Sequence, residues 1–406
     1  MPSSPRYFKL ALVLGLLSAI GPFAIDMYLP ALPAIGASLR ADIGTVQASL
    51  TVFFLALGVG QLAYGPVSDM LGRKPPLYFG LVLFALASVG CALATDVQTL
   101  IALRFVQGLG AAAGMAIPRA VVRDVHTGTD AARLMSLLML VFSVSPILAP
   151  LAGSVAIALA GWRSVFWSVA VAAVFGIGLM LTSLRETRPP ADRVRAGLGS
   201  ALSAYALLLK DRSYLGLVFT GAFAMAGFFT YLANSSFVMI DHYGLSPTMY
   251  SVAFGVNAAA FFGASQFNGS LGDRFGLAAV AKGAVTACGA VMCTMLLYFA
   301  GGGGSLAVLI VLYFIASALM GLVIPTTAVL ALEDHGANAG TASALMGTLQ
   351  MLVGALVMMI VGVFADGTPL PMVAGMAGGA LVSVVLAWAT LRPGRAGYGI
   401  ATRDAG

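Results

Sequence analysis

Gly65-Pro66-Val67-Ser68-Asp69-Met70-Leu71-Gly72-Arg73-Lys74 separates two long apolar runs of this chain. It places glycines, an acid and two bases in a connection too short to be a domain. A weaker copy, Gly269-Ser270-Leu271-Gly272-Asp273-Arg274-Phe275-Gly276, recurs half a chain later in a sequence of 406 residues. Self-similarity at that spacing reads as two related halves. In membrane proteins, duplicated helical bundles are a common transporter architecture.

Composition agrees. Hydrophobic residues make up 60% of the chain and charged residues 9%, with a mean hydropathy of +0.98. A soluble domain carries about 25% charged residues, so a water-exposed surface cannot be built from this sequence. Cys91, Cys288 and Cys293 lie inside apolar runs without metal-ligand spacing and read as small packing residues. Arg6 and Lys9 precede an apolar run, as in a signal peptide, but that run is long and carries Asp26. It is expected to be the first spanning helix.

A spanning helix needs roughly 20 mainly apolar residues. Such runs place helix 1 near 10–36, helix 2 near 46–67, helix 3 near 76–95 and helix 4 near 98–120. Helix 5 is expected near 133–158 and helix 6 near 163–184. Helices 7 to 12 follow near 213–238, 248–271, 278–300, 305–331, 340–364 and 370–391. The expected fold is all-α and membrane-integral, with 12 helices in two pseudo-symmetric bundles. Residues 1–184 form the first bundle, 185–212 a linker and 213–406 the second bundle.

Of the 21 Lys and Arg, Arg40 and Arg163 fall in odd-numbered loops and Arg104 inside helix 4; the others read as termini or even-numbered loops. The positive-inside rule then puts both termini and the linker on the cytoplasmic side. The same sorting explains the net charge of +6 without nucleic acid. The sequence lacks clustered His, Asp or Glu near one membrane face, so no enzyme is expected.

Asp26 in helix 1 and Arg104 in helix 4 sit well inside predicted helices. Each costs about 2.5–3.5 kcal/mol at mid-membrane, which favours pairing them. Two readings are open: an ion pair that fixes helix packing, and a proton carrier. Burial and a neighbouring arginine act in opposite senses on a carboxyl, so protonation can follow the opening of a cavity.

Several stretches resemble known families. Gly65 to Lys74 resembles the loop between helices 2 and 3 of the major facilitator superfamily, with Met70 at the place of the usual arginine. Ile25-Asp26-Met27-Tyr28-Leu29-Pro30-Ala31-Leu32-Pro33 resembles helix 1 of its drug/proton antiporters, in the bicyclomycin and chloramphenicol resistance branch (Bcr/CflA). Arg104-Phe105-Val106-Gln107-Gly108-Leu109-Gly110 resembles that family's helix 4 motif, whose arginine is associated with proton coupling. Ser145-Pro146-Ile147-Leu148-Ala149-Pro150-Leu151-Ala152-Gly153 is similar to the helix 5 antiporter motif, although Ala149 and Ala152 stand where glycines are common. Pro146, Pro150 and Gly153 carry that likeness; the other reading is a proline kink.

The opening stretch suggests a conformational latch formed by Gly65, Asp69, Gly72, Arg73 and Asp124. Asp69 is expected against the positive end of helix 11 near Asn338, and Arg73 against Asp124 just past helix 4. The alternative is a solvated loop. Candidate substrate contacts, in an apolar midplane cavity with a few polar groups, are Tyr28, Gln61 and Tyr64 in the first half. Those in the second half are Tyr231, Asn234, Asn257, Gln266, Met346 and Gln350.

The resemblance implies a bacterial inner-membrane transporter that exports small amphipathic drugs in exchange for protons, and a monomer is expected because two six-helix halves can enclose one pathway. It implies no cofactor and no metal, the proton gradient supplying the drive. With one membrane carboxylate, one proton per cycle is expected. The alternative is an exporter or symporter of a sugar or other metabolite on the same fold.

Overall fold

A bilayer offers no water to unpaired backbone groups, so an apolar chain of this length satisfies them within helices. The structure, a computed structural model, describes residues 5–126, 128–190, 193, 203, 205–335 and 339–391. Among them, eleven helices are long and apolar enough to cross a membrane. Helix 8, Pro247–Ser265, is not one of the eleven; it carries Ser251, Asn257 and Ser265 in 19 residues.

Helix 2 spans Ile43–Leu71, helix 3 Lys74–Leu93, helix 4 Val97–Val125, helix 5 Gly128–Ala160 and helix 6 Arg163–Ser183. Helix 7 spans Arg212–Ser236 and widens into a π turn at Phe237–His242. Helices 9 to 12 are Leu277–Ala300, Leu306–Glu333, Ala339–Val363 and Pro369–Thr390. Asp42 and Asp96 cap helices 2 and 4 alike, each accepting the amide of a threonine three residues on, at 2.9 and 2.8 Å.

Three expectations need correction. Helix 1 is not continuous: Pro5–Asp26 is followed by a 3-10 turn, Leu29–Ala31, and a short helix, Leu32–Leu39. Pro30 has no N–H for the carbonyl of Asp26, nor Pro33 for that of Leu29, and the helix breaks between them. Helix 8 likewise ends early, at Ser265, before a separate short helix at Asn268–Phe275. The Gly65–Leu71 stretch is the end of helix 2 rather than a loop, and Pro66 lies inside that helix.

The repeat is visible in the backbone. Gly72 has φ +93° before helix 3, and Gly276, the matching residue of the second half, has φ +80° before helix 9. Contacts divide the chain into two compact units. One takes Met1–Ser203, Leu232–Gly255 and Met358–Thr368; the other takes Ala204–Tyr231, Val256–Val357 and Pro369–Gly406. The first unit therefore includes the ends of helices 7, 8 and 11. Within it, Gln47 Nε2 donates to Asn234 Oδ1 at 2.9 Å, and Ser251 Oγ donates to the Pro150 carbonyl at 2.9 Å.

Helix 5 packs closely on the break in helix 1. A Cβ on Gly153 would lie 2.9 Å from the Met27 Cα, which leaves room only for glycine. Gly153→Ala is expected to cost about 1–3 kcal/mol through overpacking. Gly178→Ala, where a Cβ meets nothing within 4 Å, is expected to be tolerated. Apparent melting temperatures in detergent compare the two variants.

Candidate substrate and proton site

Asp26 is the last residue of the first segment of helix 1 and is 5% exposed. Ser145 Oγ, on helix 5, donates to its Oδ2 at 3.0 Å. Ser145 sits directly before Pro146, in the antiporter-like motif, so this motif meets helix 1 at both Asp26 and Met27.

Arg104 has no exposed surface. Its guanidinium carbon lies 4.4 Å from the ring centre of Tyr28, 4.2 Å from that of Phe53 and 5.9 Å from that of Phe166. Desolvated cation–π contacts are worth about 2 kcal/mol or more. Nη1 donates to Gln107 Oε1 at 2.6 Å, and Gln107 Nε2 donates to Ser88 Oγ at 2.7 Å. Tyr28 shares a 2.7 Å hydrogen bond with Ser49. Nε and Nη2 of Arg104 have no hydrogen-bond partner among the described residues.

The expected Asp26–Arg104 pair is therefore not formed in this structure. Asp26 and Tyr28 flank the helix break, where the regular turn of side chains is interrupted. The carboxylate goes to helix 5, and the phenol goes to helix 2 and the arginine of helix 4.

The polar stretch after helix 2 is tightly organised. Arg73, 4% exposed, donates to Asp124 from Nε at 2.7 Å and from Nη2 at 3.0 Å. Its Nη1 meets Asp69 Oδ1 at 2.8 Å and Ser68 Oγ at 2.7 Å. Residues read as the start of the linker complete the cluster. Arg188 Nη1 reaches Asp69 Oδ1 at 2.8 Å, and Thr187 Oγ1 donates to Asp124 Oδ2 at 3.0 Å.

Glu186 accepts the amides of Arg73 at 2.8 Å, Lys74 at 3.0 Å and Arg188 at 3.0 Å, placing a carboxylate at the start of helix 3. Gly72 leaves space for it, since a Cβ there would lie 2.8 Å from Glu186 Oε2. Burial pushes the Glu186 carboxyl up, but those amides outweigh it and hold it below the usual range. Burial likewise opposes the Arg73 charge, and Asp124 and Asp69 outweigh it. Gly65 faces open space. Asn338, expected beside Asp69, lies outside the described residues.

The substrate candidates fall into separate groups. In the first unit, Gln61 and Tyr64 are buried, and Gln61 Nε2 has no hydrogen-bond partner among the described residues. Asn234 is held by Gln47. In the second unit, Tyr231 stacks on Tyr313 with ring centres 3.8 Å apart, and Asn257 Nδ2 donates to the Tyr231 hydroxyl at 3.0 Å. A Cβ on Gly221 would lie 3.3 Å from Gln350 Nε2. Two expectations shift here: Met346 packs against the hydrophobic core of that unit, and Gln266 is exposed just past the end of helix 8.

The family model described as Major Facilitator Superfamily matches residues 14–358. The chain belongs to the major facilitator superfamily. It is 38% identical to the MFS-type transporter YdgK of Bacillus subtilis, over 91% of this chain and 92% of that one. Identity to a bicyclomycin resistance protein homolog of Haemophilus influenzae is 29%, over 93% and 95%. Identity to a chloramphenicol resistance protein of Pseudomonas aeruginosa is 30%, over 68% and 66%. These likenesses support the Bcr/CflA branch.

Among solved structures, a bacterial homolog of the human lysosomal transporter Spinster superposes with a TM-score of 0.73 at 14% identity. It covers 96% of this chain and 97% of that one, a likeness of fold. The chain is thus a multi-pass membrane transporter of this superfamily and not an enzyme.

Ser145, Gln47 and Glu186 have partners that charge and periodicity in the sequence do not indicate. Arg119, read as loop charge, lies inside helix 4, half-buried over the Phe142 ring at 5.8 Å. Only Ser145 had a local signal, its place beside Pro146.

The Glu186 clasp makes a pH prediction. A carboxylate depressed in the folded state contributes stability above its unfolded pKa of about 4.3, which is lost as pH falls through the folded value. Glu186→Gln is expected to cost about 1 kcal/mol at neutral pH, as for a lost helix cap, and to flatten this acid loss. Thermal unfolding of both proteins across that pH range measures it.

Proposed function

We propose that this transporter exports small amphipathic drugs across the bacterial inner membrane in exchange for protons, as a monomer with both termini cytoplasmic. The observation that carries the reading is the setting of Asp26: a buried carboxylate whose one side-chain donor among the described residues is a neutral hydroxyl. Among the described residues no cation pairs with it. A carboxylate so placed is costly while ionised, and a proton is the smallest species that neutralises it.

Ser145 suits both states. Its hydroxyl donates to the carboxylate when Asp26 is ionised and can accept from the carboxylic acid when Asp26 is protonated. Arg104 keeps its charge throughout, held in its aromatic cage, and acts on the same turn of helix 1 through the Tyr28 ring. In this account protonation from outside favours the drug-free return, and deprotonation toward the cytoplasm prepares the drug-loaded form. One charge moving with the membrane potential contributes about 2.3 kcal/mol per 100 mV.

The drug class is supported by the resistance-protein names of the relatives, and the orientation by the placement of Lys and Arg. Tyr28, Gln61 and Tyr64 are the proposed contacts in the first half, and Tyr231, Asn257 and Gln350 in the second.

The test is transport in proteoliposomes with an imposed pH gradient, using a neutral chloramphenicol-like compound and a lipophilic cation. Native protein is expected to move drug against the proton flow, and Asp26→Asn to abolish gradient-driven transport while retaining drug binding. Undiminished coupled transport in the variant moves the proton site elsewhere. No drug transport by the native protein would leave the metabolite reading.

A further inference from the structure

Three spanning helices of the first unit enclose a groove that none of the polar contacts uses. The middle turns of helices 5 and 6 leave part of helix 1 uncovered, around an apolar cavity of about 440 Å³. Its floor includes Phe23 and Met27 of helix 1; its walls include Val141 and Val144 of helix 5 and Ala172 of helix 6. The lining contains one hydroxyl, Ser168, which donates to its own helix at the Ser164 carbonyl at 2.9 Å. The inner end is next to the proton-site candidates, because Met27 adjoins Asp26 and Val144 adjoins Ser145.

We infer that this groove binds one acyl chain of a membrane lipid. Its rim is continuous with the bilayer-facing surface: Leu140 is 57% exposed and Phe175 61%. An apolar cavity does not hold ordered water, which needs two or more polar partners. The volume falls within the roughly 300–1,000 Å³ typical of small-molecule sites, and the surrounding bilayer supplies alkyl chains to this opening. A chain leaving the bilayer for the groove gains close packing rather than transfer from water. Its shape complement is the wall of branched side chains. A seated chain braces helix 5 against helix 1 and keeps Ser145 against Asp26. The assignment does not depend on which molecule is exported.

The experiment uses the full chain in vesicles of phosphatidylethanolamine and phosphatidylglycerol, doped with a phosphatidylcholine that carries a diazirine at mid-chain. After irradiation, adducts are mapped by peptide mass spectrometry. Phe23 and Val141 are expected to be labelled together with Leu159 and Val174, which lie on the outer surface. Ala172→Phe, which fills the groove from its bilayer side, is expected to abolish the Phe23 and Val141 adducts. Unchanged labelling at Leu159 and Val174 shows that the variant is inserted; if it is not, Val144→Phe takes its place.

Outer-surface adducts without any on Phe23 or Val141 overturn the assignment. Equal Phe23 labelling in native protein and an inserted variant also overturns it. Excess tetraphenylphosphonium is expected to leave the Phe23 adducts in place; their loss would assign the groove to a lipophilic cation and contradict the lipid site.

Discussion

Two prolines break the first spanning segment just past its buried carboxylate. Pro30 and Pro33 each remove an N–H that a continuous helix would need, and the chain stops being helical at Asp26 before resuming at Leu29. Across that break Asp26 turns to Ser145, while Tyr28 turns to Ser49 and Arg104. Gly153 lets helix 5 press against the break, so the bend and the serine contact are maintained by the same pair of helices. The charge of Arg104 is met by ring faces and amide oxygen, and among the described residues no cation pairs with the acid.

The polar end of the first unit follows a different logic. There the charges are numerous and mutually compensating: Arg73 is shared between Asp69 and Asp124, and Arg188 adds a second cation to Asp69. Glu186 ties the chain leaving helix 6 to the start of helix 3 through the amides of Arg73 and Lys74, and a third amide, that of Arg188, lies on its own segment. Protonation at that end weakens a structural clasp, whereas protonation at Asp26 removes a costly buried charge.

Much of the fold was legible because apolar runs and their spacing are properties of the sequence itself. The half-chain repeat was legible too, down to the positive-φ glycines at matching positions, Gly72 and Gly276. Arg73 beside Asp124 followed from opposite charges at neighbouring helix ends. The partner of Asp26 did not, because charge alone favours Arg104, whereas Ser145 reaches it through the packing of helix 5 on helix 1. Ser145 was visible only as part of a motif, since a hydroxyl gives no charge signal. Glu186 read as a solvated linker acid; its capping role depends on the return of the chain to helix 3. Helix 2 continued through Gly65 and Pro66 although both are ordinary stop signals.

The most direct measurement of this account is a pair of double-mutant cycles on the thermal stability of the purified protein. One combines Asp26→Asn with Ser145→Ala, the other Asp26→Asn with Arg104→Gln. Contacting residues couple by about 0.5–3 kcal/mol, and separated ones add to within about 0.5 kcal/mol. The Asp26–Ser145 cycle is expected to show coupling and the Asp26–Arg104 cycle to be additive. Stronger coupling of Asp26 to Arg104 than to Ser145 would contradict the claim that Asp26 is held by Ser145 and is not paired with Arg104.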